Sequence, residues 1–186
     1  MSTYPKFSLE EYDRMIELGV FDSHSERRIE LIHGELREMT PAGPTHEDAV
    51  DFLTCWSIEN VDKNQVRVRI QNSIGLPESD SAPEPDVAWV KAGSYRDERP
   101  GAEVVLLVIE VADSSLVTDQ REKANLYAEA GIPEYWIVNI PHWRIDCYRD
   151  PAGDTYQSVV RYDMTTSVSP LAFPGVKLKV RELFQS

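Results

Sequence analysis

Cysteine is scarce: Cys55 and Cys147 are the only two in 186 residues. Their spacing fits neither a metal knuckle nor a redox pair, and one bridge could not frame a chain of this size. A reducing cytoplasm is therefore the expected compartment. Long apolar runs are also missing. Nothing approaches the ~20 residues of a membrane-spanning helix, and the start, Met1 to Lys6, has no apolar stretch that would read as a signal peptide. Positive charge is in short supply as well. Lys and Arg total 19 against 32 Asp and Glu, a formal net charge of −13. That argues against a broadly basic protein held on nucleic acid by bulk electrostatics. It leaves room for a local basic groove or a metal-bridged phosphate. Internal repeats and low-complexity tracts are absent, and 41% hydrophobic with 27% charged residues is ordinary globular composition. Residues 1–186 read as a single domain able to bury one core.

What is present is an alternation of helical and strand patterns. Ser8-Leu9-Glu10-Glu11 has the form of a capping box, predicting a helix from Ser8 to a stop at Gly19. Residues 28–39 read as a hairpin turning at His33-Gly34. His46, Ala49, Val50, Leu53 and Trp56 share one face of a helix over 45–60. Val66, Val68 and Ile70 alternate with Arg67, Arg69 and Gln71, and a short strand opens at Asp86. The stretch 104–111 is almost wholly apolar, as in a strand covered on both faces at the centre of a sheet. A helix over 119–130 with Asp119 as its N-cap, stopped by Gly131, is followed by strands at 135–140, around Trp143, Ile145 and Cys147, and at 156–162. A short strand and a helical turn close the tail. Loops are expected at 76–85, the least ordered stretch, at 91–101 and at 150–154. This order is α/β, a mixed β-sheet core flanked by helices, with one strand-helix-strand crossover from Val111 to Tyr135.

The chemistry concentrates on the central strand. Glu110 follows six apolar residues, and a carboxylate there is costly unless paired, protonated or bound to a metal. Lys123 lies on the apolar stripe of the next helix with Leu126, Tyr127 and Ala130, so it faces inward or snorkels out. A lysine pointing back at a buried carboxylate accounts for both residues together. Asp86, at the start of its strand, supplies a second carboxylate. Two such groups on neighbouring strands can hold one hard cation, which polarises a phosphoryl oxygen and acidifies a water, and a nearby Lys can orient that water or stabilise developing charge.

Pro85-Asp86, then Val108-Ile109-Glu110-Val111, then Lys123 resembles the PD-(D/E)XK nuclease superfamily. More closely, the chain is similar to the Uma-type restriction endonuclease family within it. The stretches 28–35, Pro44-Thr45-His46-Glu47, Glu84-Pro85-Asp86-Val87, the run 110–115 with Asp119 and Lys123, 130–138, and 170–176 with Leu183-Phe184 carry that likeness over nearly the whole chain. The resemblance implies a restriction-endonuclease-like α/β core and Mg²⁺- or Mn²⁺-dependent hydrolysis of phosphodiester bonds in nucleic acid, with DNA the expected substrate. It implies Asp86 and Glu110 as metal ligands with the Val111 carbonyl, Lys123 as the catalytic lysine and Glu30 as an accessory carboxylate. A Glu-x-Lys motif would put lysine at position 112, where this chain has Ala112, so the role passes to Lys123.

Alternatives remain open at this level. Glu30 could instead be an exposed strand residue paired with Arg28. His46 could face the site or be packed and hydrogen-bonded, and Gln71 is a candidate pocket residue. Arg67 with Arg69, or Arg96 with Arg99, could touch phosphates or simply be solvated. Trp136 and Trp143 read as core or interface packing. The competing function is a catalytically silent nuclease-fold binding or interaction module, which the net charge favours. A metal-free acid/base hydrolase would leave Lys123 without a role. The apolar late strands and four tryptophans suit a homodimer.

Overall fold

The computed structural model describes residues 5–22, 28–113 and 115–185; Ser114, within the family-like run 110–115, lies outside them. Helix α1 (Leu9–Glu17) begins with the expected capping box, Ser8 Oγ accepting from the Glu11 amide while the Glu11 carboxylate accepts from Ser8 N. The helix stops two residues earlier than Gly19, which follows in a turn.

Strands β1 (Ile29–Ile32) and β2 (Glu35–Glu38) form an antiparallel hairpin. His33 and Gly34 at its tip both have positive φ, 49° and 78°, the conformation a two-residue turn needs to match strand twist. A side chain at 34 would also meet Lys6 Cβ at 2.9 Å. Helix α2 (Pro44–Asn60) buries the predicted stripe of Ala49, Val50, Leu53 and Trp56.

The main sheet has six strands in the order β3-β4-β5-β6-β7-β8. These are β3 (Val66–Ile70), β4 (Val87–Lys91), β5 (Val105–Ala112), β6 (Glu134–Asn139), β7 (Arg144–Ala152) and β8 (Thr155–Asp163). Only β5 and β6 run parallel; the other neighbours are antiparallel, so the sheet is mixed. β5 sits inside the sheet, and all but one of its side chains are buried, as its unbroken apolar run requires.

The crossover from β5 to β6 departs from expectation. The helical segment starts at Leu116, three residues before Asp119. It passes through α3 (Leu116–Thr118), a π turn (Asp119–Lys123) and α4 (Ala124–Glu129). Asp119 is therefore buried within the helical run and is not its N-cap. A second correction concerns 150–154. β7 continues to Ala152 and pairs with Thr155, leaving only Gly153 and Asp154 as the turn. The loop 76–85 is a loop, but it is tied down. Ala82 N donates to Leu31 O at 2.8 Å, and Ser81, Ala82, Pro83 and Pro85 are buried. The tail forms β9 (Ser167–Val168), β10 (Leu178–Lys179) and α5 (Val180–Phe184).

The two faces of the sheet bury different material. On one, Val87, Trp89, Leu107, Ile109, Val111, Trp136 and Val138 pack under α2. Trp89 stacks on Trp56 with ring centres 5.4 Å apart, and its indole N–H donates to Ser57 Oγ at 2.9 Å. On the other, Val108, Ala112, Tyr135 and Ile137 pack under α4 with Leu126 and Tyr127.

Candidate active site

Strand register brings the predicted residues together. Val87 pairs with Ile109, so Asp86, one residue before β4, reaches the level of Glu110 on β5. Both are buried, and both lie on the sheet face covered by the crossover helices. Gln71 extends this row beyond β3: its amide N–H donates to Asp86 O at 3.0 Å, and its Nε2 to Asp86 Oδ1 at 3.3 Å.

Lys123 points inward. Its Nζ lies 3.0 Å from Glu110 Oε1 and 3.6 Å from Glu30 Oε2. Glu30 is buried rather than exposed, and Arg28 pairs instead with Glu84 at 2.8 Å. The hairpin is held in place for this contact: His33 N donates to Ser81 Oγ at 2.8 Å and Glu84 N to Glu30 Oε2 at 3.3 Å. His46 faces the site from α2, Nε2 lying 3.1 Å from Asp86 Oδ2. The Val111 N–H donates to the same oxygen at 2.8 Å, so the contact the structure records for Val111 is through its amide.

Two residues that the sequence reading gave no role join the group. Tyr127 Oη donates to Glu110 Oε1 at 2.9 Å, alongside Lys123, and Ser115 Oγ donates to Asp119 Oδ2 at 2.5 Å. Tyr127 was visible as the i+4 neighbour of Lys123 on one stripe; that spacing was the signal. Arg67, Arg69, Arg96 and Arg99 do not line the cavity. Arg99 pairs with Asp13, and Arg69 lies over the Tyr95 ring. Trp136 is fully buried, while Trp143 is exposed beside Phe184.

These groups floor a cavity of about 630 Å³, walled by the hairpin, the 40–46 segment and the π turn. Four carboxylates, Glu30, Asp86, Glu110 and Asp119, surround one ammonium. Burial pushes Glu110 up to about 8 against the pull of Lys123, with Asp86, Asp119 and Glu30 adding to the rise. Burial works against the Lys123 charge, but Glu110, Glu30 and Asp119 outweigh it and hold the ammonium above its usual range. Burial also opposes ionisation of Asp86, yet the His46 contact, the Val111 N–H and Lys123 bring it below the usual carboxylate range. The hydrogen bond to Asp86 raises His46 in turn, against burial. The site thus combines an Asp86 favoured as the anion, a Lys123 favoured as the cation and a Glu110 whose proton burial makes harder to lose.

The donor set fits a small hard cation. Among the described residues no group of three or more His, Cys, Asp or Glu side chains is placed so that it could hold a metal ion. Mg²⁺ does not require one, since it typically keeps several waters and takes one or two carboxylates. Both hydrogen bonds to Glu110 end on Oε1, and among the described residues none falls on Oε2. An oxygen of Glu110 is therefore free of competing donors beside Asp86.

Comparisons with known proteins bear on the fold and the family. Among solved structures, the crystal structure of a “putative nuclease belonging to DUF820” from Anabaena variabilis ATCC 29413 shares the fold, with a TM-score of 0.73, 15% identity, and coverage of 96% of this chain and 98% of that one. No curated protein matches. The model of the Uma2 family, described as “Putative restriction endonuclease”, matches residues 9–181, and the chain belongs to that family.

Proposed function

We propose that this chain, acting as one domain, is a divalent-metal-dependent endonuclease that hydrolyses phosphodiester bonds of nucleic acid, with DNA as substrate. The observation that carries this reading is the single row of Asp86 and Glu110 on neighbouring strands, with the Lys123 ammonium 3.0 Å from Glu110 at the floor of an open polar cavity. Asp86 and Glu110 would hold Mg²⁺ or Mn²⁺ together with the Val111 carbonyl. The bound ion would polarise the scissile phosphoryl group and lower the pKa of a water. The chain's own residues do the positioning. Lys123 is fixed by Glu110 and Glu30, so its charge faces the place where negative charge grows on the phosphorus oxygens. Glu30 holds Lys123 from the hairpin side, and His46 with the Val111 amide fixes the Asp86 carboxylate. Glu110, carrying a proton near neutrality, would give it up when the cation enters.

The silent-module reading keeps one supporting observation, the charge of −13, which repels a polyanion. Titrating Mg²⁺ and Mn²⁺ into wild type and Glu110→Ala by calorimetry, with cleavage of single- and double-stranded DNA and RNA followed in parallel, separates the two. Metal-dependent cleavage lost in the variant is the expected result. Metal binding without cleavage of any substrate favours the silent module, and no binding in wild type sinks the metal site.

Among the described residues no helix is long and apolar enough to cross a membrane. We place the protein in the cytoplasm, as a homodimer. Exposed Val159 and Val160 on the edge strand β8 and exposed Trp143 support an apolar contact between copies.

A further inference from the structure

The cavity has a floor and a rim of different character. Asp86, Glu110 and Lys123 on the floor have side chains no more than 9% exposed. Arg37 on the rim is 32% exposed, and its two carboxylate partners, Glu35 and Glu122, are each 49% exposed. Glu35 lies on the same hairpin strand as Arg37. Glu122 lies on the π turn across the cavity, so the guanidinium joins the two walls.

Among the described residues the other cationic side chains lining the cavity are Arg28, Lys123 and His46. Lys123 is committed to Glu110 and Glu30, and His46 to Asp86. Arg28 gives two N–H groups to Glu84, a better shielded carboxylate at 23% exposure. Arg37 is the cation whose partners can return to water most cheaply, because exposed ion pairs are worth about 0–1 kcal/mol. Its planar fork of donors suits a phosphodiester as well as a carboxylate.

We infer that Arg37 binds a backbone phosphate of the substrate strand at the cavity rim, and that Glu122 and Glu35 occupy its donors until that phosphate arrives. This deepens the nuclease reading above and rests on it. It gives a polyanion one local cationic contact on a chain of net charge −13. Glu122 is then a competitor of the substrate, and its removal has the opposite effect from removal of Arg37.

The test is fluorescence-anisotropy binding of a labelled DNA oligonucleotide, single-stranded and duplex, in Ca²⁺. The proteins are wild type, Arg37→Gln, Glu122→Gln and the double variant. Arg37→Gln should weaken binding about 10-fold and reduce the salt slope by about one. Glu122→Gln should tighten it about 3-fold, and this gain should vanish in the Arg37→Gln background. A gain that persists there would show bulk charge rather than release of Arg37, and would overturn the inference. So would an oligonucleotide affinity indifferent to Arg37, or inorganic phosphate competing as well as the oligonucleotide itself. If Arg37→Gln fails to fold, the Glu122→Gln gain is set against that of Glu129→Gln, an exposed carboxylate that does not line the cavity; equal gains would show bulk charge and overturn the inference. Failure of wild type both to bind and to cut nucleic acid would overturn the nuclease reading itself, a result distinct from the others.

Discussion

The two faces of the six-stranded sheet meet the same demand, burial, with different chemistry. Under α2 the strands present Trp89, Trp136, Ile109 and Val111 to Trp56 and Leu53. Among the described residues the one carboxylate buried on that side, Glu134, is closed off by Arg149, the Trp136 indole N–H and the Leu171 amide. Under the crossover helices the same strands present Asp86 and Glu110. Further along, Glu110 pairs in register with Ile137, Ile137 with Asp146, and Asp146 with Arg161. Asp146, 1% exposed, is held by Arg144, Asn139 and Gln120. One face is stabilised by apolar area and aromatic contact. The other keeps charges that a fold optimised only for stability would replace with hydrocarbon. The faces differ in how the charge is met: Glu134 has Arg149 to itself, whereas Glu110, Glu30 and Asp119 share Lys123.

The sharpest way to break the comparison is to substitute one residue on each face. Glu110→Gln should lower metal-dependent cleavage by about 10³-fold or more, as expected for a group that holds the charge-stabilising ion. The same change should cost less stability than Trp89→Ala, because the amide oxygen can still accept from Lys123 and Tyr127 while Glu30 keeps the ammonium paired. Trp89→Ala should do the reverse, costing about 3–5 kcal/mol of stability while folded molecules keep their metal affinity. Denaturant melts and metal calorimetry on both variants read the two outcomes.

The pH dependence sharpens the contrast further. The Glu110 carboxyl is raised to about 8 in the folded chain, above its ordinary value of 4.5. Its contribution to stability is therefore complete below about 4.5 and lost as pH rises through about 8. Lys123, raised above its usual value, adds no change in that window. Asp86, lowered, loses its contribution only as pH falls below the ordinary carboxylate range. The thermal midpoint of wild type should decline between pH 5 and 8 relative to that of Glu110→Gln. Apparent Mn²⁺ affinity of wild type should climb over the same interval as the proton is displaced. Parallel midpoints for the two proteins across that range would contradict the assignment of the proton.

The smallest effect belongs to Tyr127→Phe. Loss of one buried hydrogen bond to Glu110 should cost about 1 kcal/mol of stability. It should also move the midpoint of the pH-dependent Mn²⁺ affinity, whereas removal of an equivalent bond on the other face, by Ser57→Ala beneath Trp89, should not.

Much of this was legible in the chain itself, and the reasons are local. The hairpin at His33-Gly34, the buried stripe of α2 and the doubly covered β5 follow from turn chemistry and periodicity. Lys123 could be placed beside Glu110 because a charged residue on an apolar stripe must find a partner. The π turn could not be read, since its wider register is set by packing against the sheet rather than by propensity. For the same reason Asp119 looked like a helix start. Nor could the sequence show that Arg28 would choose Glu84 and leave Glu30 to Lys123. That choice depends on Leu31 and Ala82 drawing the hairpin against the 76–85 loop, a contact between segments fifty residues apart.

The π turn has a consequence for how this chain tolerates change in length. Asp119, Lys123 and Tyr127 are spaced four apart, and all three turn toward the sheet. A regular α-helix gains about 40° with every such step, so the two successive steps would fan the side chains around the axis. The wider turn over 119–123 falls back where α4 runs ahead, and the three stay in file. Alignment of the lysine with its carboxylates is thus encoded as a residue count. Removing Gln120 or Arg121 from that turn would let it relax to an ordinary helix and swing the Asp119 side away from Lys123. Every functional side chain would still be present in the polypeptide, and the machinery would be out of phase.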